Sequence, residues 1–121
     1  MEEKTTKLKK GTIQHLQEYM AEKIKERGFK EESLRERLLL LAEEVGELIH
    51  ACKKIDGMYV DQNREIVKET GEELCDVINM AFAVGIKLGL DIEKEFLDKE
   101  AIIDKRKYER ASKKEKQEFN T

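Results

Sequence analysis

Apolar residues recur along this chain at intervals of three and four, the spacing of one face of an α-helix. Ile13, Leu16, Met20 and Ile24 form the first stripe, which predicts a helix from about Thr12, as N-cap, to Arg27, with Gly28 as the stop. Ser33 and Glu36 form a capping box that opens a second helix running to about Ile55 and stopping near Gly57. Leu34, Leu38, Leu41, Val45, Leu48, Cys52 and Ile55 are its expected core stripe. Residues 56–63 read as a loop, and a third helix is expected from about Arg64 to Leu88, ended by Gly89. Its second half, Val77 to Ile86, is apolar almost all round, the pattern of a helix buried on most sides. One face of a small bundle cannot cover such a run, so a homo-oligomer with these helices in a shared core is expected. Asp91 is the expected N-cap of a fourth helix from Ile92 to about Tyr108, followed by a tail that frays after Arg110.

Four amphipathic helices with short connections predict an all-α bundle. Composition agrees: charged residues are 42% of the chain, aromatics only 6%, and proline is absent, a balance that favours helix over strand. The 121 residues make one domain, 1–121, with loose ends at 1–10 and 110–121. The net charge of −3, with both signs interspersed, leaves no basic face, so nucleic acid is not an expected partner. Neither a signal peptide nor a long apolar run is evident, which leads to a cytoplasmic protein without a membrane partner. Cys52 and Cys75 fall inside helices and are expected as buried, reduced thiols. Gly46 and Gly85, also inside helices, mark expected close helix approaches.

The chemistry is concentrated in two acidic strings. The second helix carries Glu43, Glu44 and Glu47; the third carries Glu69, Glu72, Glu73 and Asp76. Residues three and four apart share a helix face, so Glu44 and Glu47 lie on one strip, and Glu73 and Asp76 on another with Met80. Both strips border the apolar stripe. Glu43–Glu47, Glu69–Glu73 and Glu72–Asp76 are like-charge pairs at i, i+4, each costing about 0.2–0.5 kcal/mol. No Lys or Arg lies between Leu38 and Ala51 to offset them. A single E-x-x-E in so acidic a chain is ordinary solvated surface. Two such pairs on adjacent helices, both at the core edge, point instead to a divalent cation, and clustered carboxylates suit Mg²⁺ or Mn²⁺ better than Zn²⁺.

The order Glu43-Glu44-Val45-Gly46-Glu47, a gap, then Glu73-Leu74-Cys75-Asp76 resembles the signature of the MazG-type all-α nucleotide pyrophosphohydrolases. The strings QHLQEYMAEKIKERGF and VINMAFAVGIKLGLDIEKEF resemble that family's first helix and its third helix, turn and fourth helix, so the likeness covers about residues 12–108. It implies a four-helix bundle completed by homo-oligomerisation, as a homodimer or homotetramer. It also implies Mg²⁺-dependent hydrolysis of a nucleoside triphosphate to the monophosphate and pyrophosphate. By motif position Glu44, Glu47, Glu73 and Asp76 are the implied metal ligands, and Glu43 serves a further ion or the attacking water. Phosphoanhydride cleavage needs the phosphate charge neutralised and a water in line, which metal ions and a spare carboxylate supply. Cations are also wanted, and Lys54, two turns beyond Glu47, together with Lys99, Lys105 and Arg106 on the fourth helix, are the candidates. The family's fourth-helix pattern is Lys, then Asn, then Arg. Lys99 and Arg106 fit that frame, but Ile103 stands at the Asn place, and Asp104 is its polar neighbour.

Two other functions fit parts of the pattern. A phosphoribosyl-ATP pyrophosphohydrolase has a similar acid arrangement, but the longer N-terminal helix and the E-E-x-x-E form favour the MazG type. A non-catalytic helical interaction module would not need the full set of acids. His50 completes an E-x-x-H with Glu47, as in di-iron bundles, but Asn79 stands where the second His would be. Tyr19, Phe29, Tyr59 and Phe82 are candidates to stack on a base, although each also serves as packing.

Overall fold

The computed structural model describes residues 10–56 and 64–119, with side chains placed for 10–55 and 67–106. The described residues form four helices: α1 (Thr12–Glu26), α2 (Leu34–Asp56), α3 (Arg64–Lys87) and α4 (Ile92–Phe119). Residues 1–9 of the expected arm at 1–10 and most of the expected loop lie outside the described residues, as does Tyr59. None of the helices searched is long and apolar enough to cross a membrane.

The helix stops are those the glycines foretell. At Gly28, φ is 82°, Phe29 N donates to Ile24 O (2.9 Å) and Gly28 N to Lys25 O (3.2 Å). At Gly89, φ is 72°, Leu90 N donates to Gly85 O (3.0 Å) and Gly89 N to Ile86 O (3.0 Å). Both are Schellman ends, whose left-handed residue costs glycine nothing. The Ser33–Glu36 capping box forms reciprocally, at 3.1 and 2.7 Å. Asp91 Oδ1 accepts from Lys94 N at the start of α4 (3.2 Å).

The start of α1 differs from expectation. Its N-cap is Gly11, not Thr12, and Gly11 has no side chain to cap with. Glu93 of α4 supplies the oxygens instead: Gly11 N donates to Oε2 (2.9 Å) and Gln14 N to Oε1 (3.0 Å). Nearby, Gln17 Nε2 donates to Leu90 O and Ile92 N donates to Gln17 Oε1. Glu93 is buried, at 6% exposure, and its backbone donors, Gln14 foremost and then Gly11, hold its carboxyl below the ordinary range. A lowered acid stabilises the fold above its unfolded pKa, and that contribution is lost as pH falls through the folded value. Glu93→Gln is therefore expected to melt several degrees lower than the parent at neutral pH, with the gap closing in acid. Thermal melts of both proteins across an acid series check this; equal melting temperatures at neutral pH would refute it.

Packing places α2 against α3 along most of its length, α1 against α3, and α4 against α1 and α3. Arg37 meets Ala83, Glu44 meets Asp76 and Glu47 meets Glu73, so the α2–α3 pair is antiparallel. Arg37, only 2% exposed, ties the junction: Nη1 donates to Ala83 O (2.6 Å), Nη2 to Phe29 O (3.1 Å), and Nε lies 3.7 Å from Glu32 Oε1. Gly85 is a close approach as expected, since a Cβ there would come within 2.8 Å of Ile92 Cδ1. Gly46 meets no neighbour within the chain: among the described residues nothing lies within 4 Å of its Cβ position.

The single chain buries much less than its stripes predict. Among the described residues the buried apolar side chains are Met20, Ala51 and Ala83. Leu38 and Val45 of the expected α2 core are exposed, as are Ile78 and Ala81 within the Val77–Ile86 run. Cys52 and Cys75, expected as buried thiols, are exposed. One hairpin with two helices on one side leaves the opposite side of α2 and α3 uncovered. The fourth helix also runs well past Tyr108, to Phe119, because Ala, Lys, Glu and Gln are good helix formers and nothing in that stretch breaks the helix.

Candidate functional site

The antiparallel register of α2 and α3 brings the two acidic strips face to face. Glu44, Glu47 and Glu73 each offer a carboxylate oxygen, and the three oxygens lie within 4.8 Å of one another. Glu44 and Glu73 are half-buried and Glu47 is exposed. Oε1 of Glu44 and Oε1 of Glu73 are both shielded from solvent without a hydrogen-bond partner. A buried polar atom left unpaired is costly, the more so when it carries charge. Among the described residues no Lys or Arg forms an ion pair with these acids.

The electrostatics express that strain. Burial pushes the Glu44 carboxyl up, and the charges of Glu47, Asp76, Glu73 and Glu43 add to the shift. Glu73 is raised in the same way, first by burial, then by Glu47 and Asp76, by a hydrogen bond with Glu47, and by Glu72. Asp76 is thus an electrostatic neighbour of both acids, although its oxygens are not among the three closest.

Two cavities flank the acids. The first, about 580 Å³, lies between α1, α2 and α3; Glu44 and Asp76 line it with Tyr19, Phe29 and Met80. The second, about 350 Å³, is lined by Glu43, Glu47, Glu69 and Glu73, with His50 and Lys54. Lys54 therefore stands where the sequence spacing placed it, beside Glu47 and Glu73. Lys99, Asp104 and Arg106 line neither cavity. They sit on α4, which packs on α1 and α3. Phe82 also lies elsewhere, in a cleft between α3 and α4.

Four polar residues of the first cavity escaped sequence reasoning as site residues: Lys23 of α1, Arg27 at its C-cap, Glu32 before α2, and Asn79 of α3. Asn79 carried a signal, since it follows Asp76 by one turn and so shares its strip. Lys23 and Arg27 carried none, because which side of α1 meets the α2–α3 pair depends on tertiary packing. Compared with protein-family models, curated proteins and solved structures, the chain finds no match, so a functional reading rests on the residues of this site.

Proposed function

We propose that this protein is a Mg²⁺-dependent nucleoside triphosphate pyrophosphohydrolase of the MazG type, with Mn²⁺ able to replace Mg²⁺. The observation that carries the reading is the trio Glu44, Glu47 and Glu73, with its two shielded, unpartnered oxygens. Hard, clustered oxygen donors suit a hard divalent ion, and the resemblance of the acid motifs to MazG-type enzymes adds support. Glu44, Glu47, Glu73 and Asp76 are the residues that hold the metal. Bound there, Mg²⁺ supplies charge neutralisation on phosphate oxygens and a more acidic water.

The remaining work falls to the chain. Glu43, exposed on the second cavity beside Glu47 and Glu73, orients the attacking water and takes its proton. Lys54, on the same cavity, holds the phosphate chain. Lys99, Asp104 and Arg106 enter this reading only if a second copy carries its α4 to the site. A panel of nucleoside triphosphates and phosphoribosyl-ATP, assayed with Mg²⁺, tests the proposal. The expected products are a monophosphate and pyrophosphate. No turnover of any member, or release of orthophosphate alone, would overturn it.

The same reading includes self-association. Leu38, Val45 and Ile49 on α2 and Val67, Leu74 and Ile78 on α3 are between 37% and 53% exposed. Their spacing draws one apolar stripe along each helix. Burying a fully exposed Val, Leu or Ile contributes about 1.5–3 kcal/mol; these six are already half covered, and the remaining part, summed over them, still favours pairing with a second α2–α3 hairpin. Sedimentation at micromolar concentration is expected to give a dimer or tetramer, and Ile49→Glu with Ile78→Glu a monomer. A monomeric parent would end this part of the proposal.

A further inference from the structure

We propose that the cavity between α1, α2 and α3 is a nucleoside pocket in which Arg27 and Asn79 read the edge of the base. The inference rests on the reading of the acids as a triphosphate site and adds what that site selects. The acids form a wall with a different environment on each side. The second cavity is lined by four carboxylates with His50 and Lys54, and among the described residues it holds no Tyr, Phe or Trp. The first is larger, at about 580 Å³, within the range of small-ligand pockets, and it offers Tyr19, Phe29 and Met80 to a flat apolar ring. With the phosphates held at the acids and toward Lys54, the nucleoside is left to the first cavity.

Beyond the acids at its edge, two of its polar side chains already have partners and two are open to a base; Glu32, one of the first pair, lies 3.7 Å from Arg37 Nε. Asn79 makes no hydrogen bond among the described residues, and its amide offers both a donor and an acceptor. Lys23 is already committed, 3.2 Å from Glu26 Oε1 and 5.6 Å from the centre of the Tyr19 ring. Arg27 has no side-chain partner among the described residues, so it is the cation available to a ligand. A guanidinium only donates. It therefore favours a base edge rich in carbonyl and ring-nitrogen acceptors, as in guanine and uracil, over one that presents an amino group, as in adenine and cytosine. Glu93 and Gln17 fix α1 on α4, and so fix where Arg27 stands.

Neutral nucleosides test the pocket without metal, phosphate or turnover. Calorimetric titration of the full chain in chelator with guanosine, uridine, adenosine and cytidine is expected to show saturable binding, the first two about tenfold tighter. Arg27→Gln and Asn79→Ala are expected to bring that ratio close to one. Both side chains are exposed, and thermal melting confirms that the variants fold. Glu73→Gln is expected to leave the ratio intact. No saturable binding of any nucleoside, or an unchanged ratio in both variants, overturns the inference. Nucleoside binding without pyrophosphate release in the triphosphate assay would sink the proposed reaction and leave the pocket standing. Pyrophosphate release with a ratio unmoved by either substitution would do the reverse.

Discussion

Glu47→Gln is expected to cut triphosphate turnover by about a hundredfold or more while leaving the helical fold in place. The estimate is a lower bound, since removing a group that only supports a metal ligand already costs about 10–100-fold. Glu47 is central to the acid trio: its charge raises both Glu44 and Glu73. The amide keeps the size of the side chain and removes one strong ligand oxygen and one negative charge. Losing the charge relieves repulsion with Glu43 and Glu44, so the metal-free variant is expected to melt at or slightly above the parent. The helix pairing itself rests elsewhere, on Arg37, Ala51 and Ala83. Steady-state kinetics with Mg²⁺, paired with melts in chelator, measure both halves. Near-normal turnover in Glu47→Gln would contradict the site.

Divalent metal is expected to raise the melting temperature, and to reverse the response to pH. A ligand that binds only the folded state adds RT ln(1 + [M]/Kd), about 2.7 kcal/mol at a hundredfold excess over Kd. Mn²⁺ should stabilise more than Mg²⁺, which sheds its waters reluctantly. A non-hydrolysable triphosphate should add a further rise only when metal is present, and Glu73→Gln with Asp76→Asn should erase both increments. In chelator the pH dependence follows from Glu44 and Glu73, whose carboxyls are raised by burial and by the charges of Glu43, Glu47, Glu72 and Asp76. A raised group stabilises the fold most below its unfolded pKa, and that contribution is lost as pH rises through the folded value. The chelated protein should therefore gain stability as pH drops from neutrality toward the ordinary carboxylate range. Below that range stability should fall again, as Glu93 and Glu36, both held low by hydrogen bonds, take up protons. With metal bound, protons compete for the same oxygens, and acid should only destabilise. Identical melting curves in chelator, metal, and metal with the analogue would leave the acids as charged surface.

The features legible in the sequence are those set by neighbours along the chain. Helix spans followed from three-and-four spacing, and Gly28, Gly89, the Ser33–Glu36 box and Asp91 are local signals that act through hydrogen bonds a few residues long. That Glu44 and Glu47 share one strip, and Glu73 and Asp76 another, was also legible, because helix periodicity fixes which acids lie on one face of a helix. The tertiary structure alone decided what lies across from what. Glu93 caps α1 from a distance of some eighty positions, and Arg37 is buried because the α1–α2 turn and α3 both offer it carbonyl oxygens. Lys23, Arg27 and Asn79 share a cavity with Glu44 and Asp76 because α1 lies across the α2–α3 pair, and periodicity says nothing about how helices cross. Burial was misread for the same reason. A stripe records that a face is apolar, and only the packed chain shows that four helices leave Leu38, Val45, Cys52 and Ile78 uncovered.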